Sequence, residues 1–167
     1  HTAYRRQRQM CIRDRWLAAG TLDFHFHRRT DLPHTSGLRE STLHGVQLGL
    51  VGTGVLAWLL LADTRALAVL LAVLAAAHAI AGYLDTASAD GRRRISPAEQ
   101  HVHSVLDVAP WLFVLWVAHH AEPAWALQWR PAPAQDWVLT LLPAMVVALS
   151  WLWELRHCLR ADRSLSR

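Results

Sequence analysis

The sequence contains no lysine: all 17 basic residues are arginine. Lysine Schiff-base chemistry is therefore excluded. It has only two cysteines, Cys11 and Cys158, and no Cys-x-x-Cys. That excludes a dithiol redox motif and a cysteine-built zinc site. It has no G-x-x-x-x-G-K-[ST] and no G-x-G-x-x-G, so no phosphate-cradling loop marks a soluble nucleotide-binding domain. No H-x-x-H-H box of a membrane desaturase is present, and no internal repeat stands out. What the chain has in quantity is apolar residues, 53% of the total.

Its charge balance depends on the opening stretch. Residues 10–15, MCIRDR, resemble the end of a transposon used to build sequencing libraries, translated in frame. His1 stands where a methionine start would be. Residues 1–15 are therefore expected to be non-native, the alternative being a basic anchor or arm. Setting them aside removes five of 17 arginines (Arg5, Arg6, Arg8, Arg13, Arg15) and one of 13 acidic residues (Asp14), leaving 12 of each. The formal charge of +4 then falls to about zero, and the basicity is no argument for a nucleic-acid partner. Cys158 is left alone, so no intramolecular disulfide is expected.

The apolar residues fall in four runs. Residues 46–62 and 137–153 carry no charge, 66–84 is interrupted only by His78, and 104–118 only by Asp107. At 1.5 Å rise per residue, 17 residues cover roughly 25 Å of hydrocarbon, close to what a span needs. A soluble helix would place polar residues along its outer face, and these runs mostly do not. The expected fold is all-α, an integral membrane four-helix bundle with the lipid bilayer as its surroundings. The expected organisation is a polar cytoplasmic N-terminal segment at 16–43 and a four-span domain at 44–157. Its spans lie at about 44–62, 65–84, 97–120 and 136–157, with a cytoplasmic tail at 158–167.

Arginine placement gives the orientation. Arg28, Arg29 and Arg39 precede span 1, Arg92–Arg94 join spans 2 and 3, and Arg156, Arg160, Arg163 and Arg167 follow span 4. The other side holds only Arg65 and Arg130. Both termini are thus expected in the cytoplasm, with Trp125, Trp129 and Trp137 around the outward loop at the opposite interface. Ser96-Pro97-Ala98-Glu99 reads as a capping box with proline at the first helical position. Pro110 and Pro143 fall inside spans 3 and 4 and are expected to kink them. Gly45 and Gly49 form a G-x-x-x-G that suggests close helix packing.

Histidines and carboxylates gather at the cytoplasmic ends of these spans. Glu40 and His44 are four residues apart; Glu99, His103 and Asp107 form one stripe entering span 3. His78 and Asp85 share a face of span 2, and Glu154 and His157 share one at the end of span 4. Such residues on facing helices can build a metal site inside a bundle. The metal candidates are His44, His78, Glu99, His103, Asp107, Glu40 and Asp85. His78 and Asp107 lie deepest, where an ionisable group usually needs a partner; Asp107 is expected to orient His103. The cap alone is an equal account of Glu99, and Glu40, Asp85, Glu154 and His157 suit a headgroup-level flank. His101, His119 and His120 read as flanks away from the cluster. His25, His27 and His34 lie in the polar N-terminal segment, read as a mobile interfacial stretch, although alternating His25 and His27 can reach a metal.

RRRISPAEQHVHSVLDVAP (92–110), with ESTLHG (40–45) upstream, resembles a group of small four-span bacterial inner-membrane proteins carrying an EQHVHS-type motif. The resemblance runs from about Asp23 to Arg160 and is most specific at residues 99–104. It implies placement in the bacterial cytoplasmic membrane as a multi-pass protein and points to Glu99, His103, Glu40 and His44. It implies no reaction. Where the group tends to have Trp before the span-2 aspartate, this chain has Leu84 before Asp85. Where it tends to have Glu, this chain has Asp107.

Three functional readings follow. One is a His/carboxylate site for a non-haem transition metal, or for haem through His78 with His44 or His103, with redox chemistry in view. The second is a non-enzymatic scaffold or sensor subunit, as a homo-oligomer or beside a partner membrane protein, whose polar cluster locks the helices. The third is proton or ion handling through His78, Asp107 and His103.

Overall fold

The computed structural model describes residues 18–165; the stretch at 1–15 lies outside them. Apart from two isolated bridges, the described residues hold helices, turns and loops. A helix at residues 18–29 (α1) leads through a 3-10 turn, Leu32–His34, into α2 (Gly37–Leu60). Then come α3 (Arg65–Ala89), α4 (Pro97–His120) and α5 (Ala134–Leu165). The protein is an all-α helical bundle.

Each of α2–α5 is long and apolar enough to cross a membrane, and no more than 33% of the most apolar window of any of them is buried. The outer faces expose Ile80, Leu115, Leu142 and Leu149, each more than 60% accessible. In water such a belt would be a large unpaid hydrophobic surface; facing lipid, it is the natural surface of a helix whose backbone bonds are all internal.

Local chemistry sets the helix ends. The Thr64 hydroxyl accepts from Leu67 N at the start of α3. At the start of α4 both bonds of the capping box form: Ser96 Oγ accepts from Glu99 N at 3.2 Å, and Glu99 Oε2 accepts from Ser96 N at 3.4 Å. The helices run through Pro110 and Pro143 without interruption. α2 begins at Gly37, whose φ of 61° suits glycine.

α2 packs on α3 and α5, and α3 packs on α4. α1 links the two outer helices: Asp23 bonds His103 of α4, while His27 bonds Glu154 of α5. The N-terminal segment therefore differs from the polar extension read in the sequence. Its helix carries Ala19, Asp23, Phe24 and His27 into contact with the bundle, all of them buried. The polarity that looked like exposure is a face complementary to buried groups on α2, α4 and α5.

Of the G-x-x-x-G pair, Gly45 alone makes a close approach. A Cβ there would stand 2.5 Å from Trp151 of α5, whereas one at Gly49 would meet nothing. The Trp151 indole donates to Ser41 O at 2.8 Å and fastens the same contact.

The two ends of the bundle differ in character. Where α3 begins and α4 ends, Leu67, Leu71, Val114 and Val117 form an apolar core, flanked by Trp58, Phe113 and Trp116. Residues 121–133 fold over the α2–α3 turn, bonding through Ala62 N to Gln128 O, Arg130 N to Leu60 O and Ala132 N to Leu59 O. The other end, where α2 begins and α5 ends, is filled with buried ionisable groups.

Candidate metal centre

Helical spacing builds this end. Asp23/His27 on α1, Glu40/His44 on α2 and Glu99/His103 on α4 are each a carboxylate followed four residues later by a histidine. That spacing puts both groups on one face, one turn apart. The three faces converge, joined by Asp85 from α3 and Glu154 from α5. All five carboxylates are buried, between 0% and 6% exposed.

His27 lies at the centre, 1% exposed. Its Nδ1 is 2.8 Å from Glu154 Oε2. Its Nε2 has no hydrogen-bond partner among the described residues. Three carboxylate oxygens face that nitrogen: Asp23 Oδ1 at 3.5 Å, Glu99 Oε1 at 3.9 Å and Glu40 Oε1 at 4.0 Å. His103 Nε2 reaches the same Asp23 oxygen at 2.8 Å.

His44 stacks on His27, ring centroids 4.6 Å apart and 7° from parallel. Its Nδ1 is 2.8 Å from Glu154 Oε1 and its Nε2 is 3.2 Å from Asp85 Oδ2. Glu154 thus receives one imidazole on each oxygen and sets the orientation of both rings. Phe24 closes the side, its ring edge-on to both imidazoles.

Arg93, in the loop between α3 and α4, completes the cluster with a side chain 1% exposed. It clasps Glu40 through Nε and Nη2, the latter at 2.6 Å, and bonds Glu99 Oε1 through Nη1. Burial disfavours the guanidinium charge, but Glu40 and Glu99 outweigh that and hold its pKa above the ordinary value. Burial likewise opposes ionisation of Asp23. The imidazoles of His27, His103 and His44 overcome it and keep the Asp23 carboxyl below its usual range.

Glu99 therefore has two roles. One oxygen caps α4, and the other faces Arg93 and His27.

Two overlapping sets of side chains bring ligand atoms within 4.8 Å of one another: Asp23, His27, Glu99 and His103, and His27, Glu40 and His44. Of the residues singled out in the sequence, Glu40, His44, Asp85, Glu99 and His103 are brought together here. His78 and Asp107 join neither set; they lie deeper, near each other. The expected orientation of His103 by Asp107 is replaced by its bond to Asp23. Of the other members, sequence reasoning left out Asp23 and Arg93, read Glu154 as a headgroup-level flank, and read His27 as part of a mobile stretch able to reach a metal.

The carboxylates outnumber the fixed positive charge, and protonated imidazoles or a cation would offset the excess. Five carboxylates against one guanidinium leave four excess negative charges when the imidazoles are neutral. Buried charge of one sign is tolerated only when paired or ligating. Compared with protein-family models, curated proteins and solved structures, the chain matches none.

Proposed function

We propose that the protein is a multi-pass membrane protein holding a non-haem divalent transition metal at the polar end of its bundle. Asp23, His27, Glu99 and His103 are the ligands, and Glu40 and His44 stand beside them. The observation that carries this reading is the buried His27 Nε2, bare of hydrogen bonds and faced by three carboxylate oxygens. Two ligand atoms about 2.1 Å from a metal at a tetrahedral angle stand about 3.4 Å apart. The distances of 3.5 to 4.0 Å from Nε2 to these oxygens suit a shared ion better than hydrogen bonds.

The surroundings support the same reading. A ligating imidazole commonly donates its other N–H to a carboxylate, which fixes its tautomer. Glu154 stands in that position for His27. Mixed nitrogen and oxygen donors without sulfur suit zinc, iron or manganese. Haem fits less well: His44 has both ring nitrogens on carboxylates, and His27 stacks directly on it. A metal bound here would supply Lewis acidity toward a coordinated water or substrate oxygen. The arginine pattern supports placing this end on the cytoplasmic side, and the resemblance at residues 99–104 supports a bacterial membrane.

The test is metal analysis of the full chain, expressed with iron, manganese and zinc supplied and purified in detergent. Stoichiometric metal in the wild type supports the proposal. A folded protein that stays metal-free under these conditions leaves a helix-locking polar cluster as its role.

A further inference from the structure

Asp107 is ten residues into α4, about 15 Å along the helix axis and near its middle. It is nevertheless exposed on the flank of the bundle. Its electrostatic neighbours are His78, His103, Asp85 and Asp23, and no side chain among the described residues hydrogen-bonds to it. A carboxylate at that depth in hydrocarbon needs a partner.

Gly82 lies directly opposite on α3. A Cβ there would stand 3.0 Å from Asp107 Oδ1 and 3.6 Å from Gln47 Oε1 of α2. Asp107 and Gln47 therefore approach the α3 backbone closely at Gly82, which brings acceptor oxygens from two helices together. One turn away on α3, His78 is 5% exposed, and its Nδ1 has no partner. Gly82, Thr86 and Asp107 line a pocket that opens sideways between α3 and α4. Its rim is Tyr83, Val108 and Trp111, all exposed on the apolar belt.

We propose that this lateral pocket binds the hydrogen-bond-donating end, an ammonium or hydroxyl, of an amphiphile dissolved in the bilayer. Asp107 accepts from the polar end inside the pocket it lines with Gly82 and Thr86, and Tyr83, Val108 and Trp111 flank the chain. A second copy of the protein could offer this carboxylate only a neutral donor. The chain has no lysine, and its arginines lie at the ends of the spans or in the loops, so a neighbouring copy offers no cation at this depth. The inference rests on the bilayer placement and not on the metal, because Asp107 and His78 belong to neither ligand set.

The test uses the full chain in lipid nanodiscs with tetradecylamine and tetradecanol carrying a diazirine near the polar end. Both probes are expected to label the peptides bearing Tyr83 and Val108–Trp111 saturably, with unlabelled tetradecylamine competing. Asp107→Leu and Gly82→Leu should each cut that labelling about tenfold or more, since a charge-assisted hydrogen bond is lost or its space filled. Both variants should keep wild-type metal content, whatever that content is. Competition in the wild type needs no variant and reads binding even if a substitution impairs folding. Unsaturable labelling spread equally over Leu142 and Leu149 of α5 would overturn the proposal. So would cross-links joining Val108 of one copy to Val108 of another.

Discussion

His27 and His44 lie face to face, 4.6 Å between ring centroids, and the two oxygens of Glu154 hold both Nδ1 atoms at 2.8 Å. One carboxylate on α5 thereby fixes a ring on α1 and a ring on α2. Glu154→Ala should lower metal affinity about 10- to 100-fold, the usual effect of removing a carboxylate behind a ligating histidine. Glu154→Gln keeps one acceptor oxygen and should lose less. Metal titration of the two variants reads this order; equal affinities in wild type and Glu154→Ala would contradict it.

Arg93 balances Glu40 and Glu99 in the absence of an ion. Arg93→Ala should destabilise the chelator-stripped protein by about 3–5 kcal/mol, because two buried carboxylates lose their partner. Added metal should then raise the melting temperature of the variant more than that of the wild type. A smaller metal-induced rise in Arg93→Ala would show that Arg93 assists the ion instead of standing in for it.

Gly45 and Gly49 should respond oppositely to alanine. At Gly45 the new Cβ meets Trp151 at 2.5 Å, so Gly45→Ala should cost about 1–3 kcal/mol. At Gly49 the space is open, and alanine should be neutral or gain up to about 1 kcal/mol from helix propensity. Unfolding in mixed micelles distinguishes the two.

The metal-free protein should lose stability in acid through Asp23. The folded-state pKa of Asp23 lies below its unfolded value of about 3.9. Ionised Asp23 therefore stabilises the fold at pH above about 4, and this contribution fades as pH falls through the lowered folded value. The stability gap between wild type and Asp23→Asn should shrink across that range; a gap independent of pH would mean the Asp23 charge does not matter.

The four spans were legible because uncharged runs of this length have few other homes. The capping box at Ser96 and Glu99 was legible because its chemistry is local. Much of the polar cluster was visible too, since Glu40/His44 and Glu99/His103 show the same four-residue spacing. Asp23 and His27 repeat that spacing a third time, and this is the signal that would have revealed α1. It was obscured because a polar helix buried against other polar groups has the composition of an exposed one. The partner of His103 was not legible: Asp107 is its neighbour along the helix, but the ring turns to Asp23, 80 residues away. Arg93 read as a topological charge because its pairing with Glu40 spans 53 residues and exists only once α2 packs on α3 and meets the loop that follows it.

The most direct test is the metal stoichiometry of His27→Ala set beside that of His78→Ala, both as full chains purified with metal supplied. His27 offers the unpartnered nitrogen at the centre of the carboxylates, while His78 lies outside both ligand sets. One ion per chain in the wild type and in His78→Ala, with none in a folded His27→Ala, is the expected result. A His27→Ala protein that keeps its ion, or a loss confined to His78→Ala, would contradict a metal centre at His27.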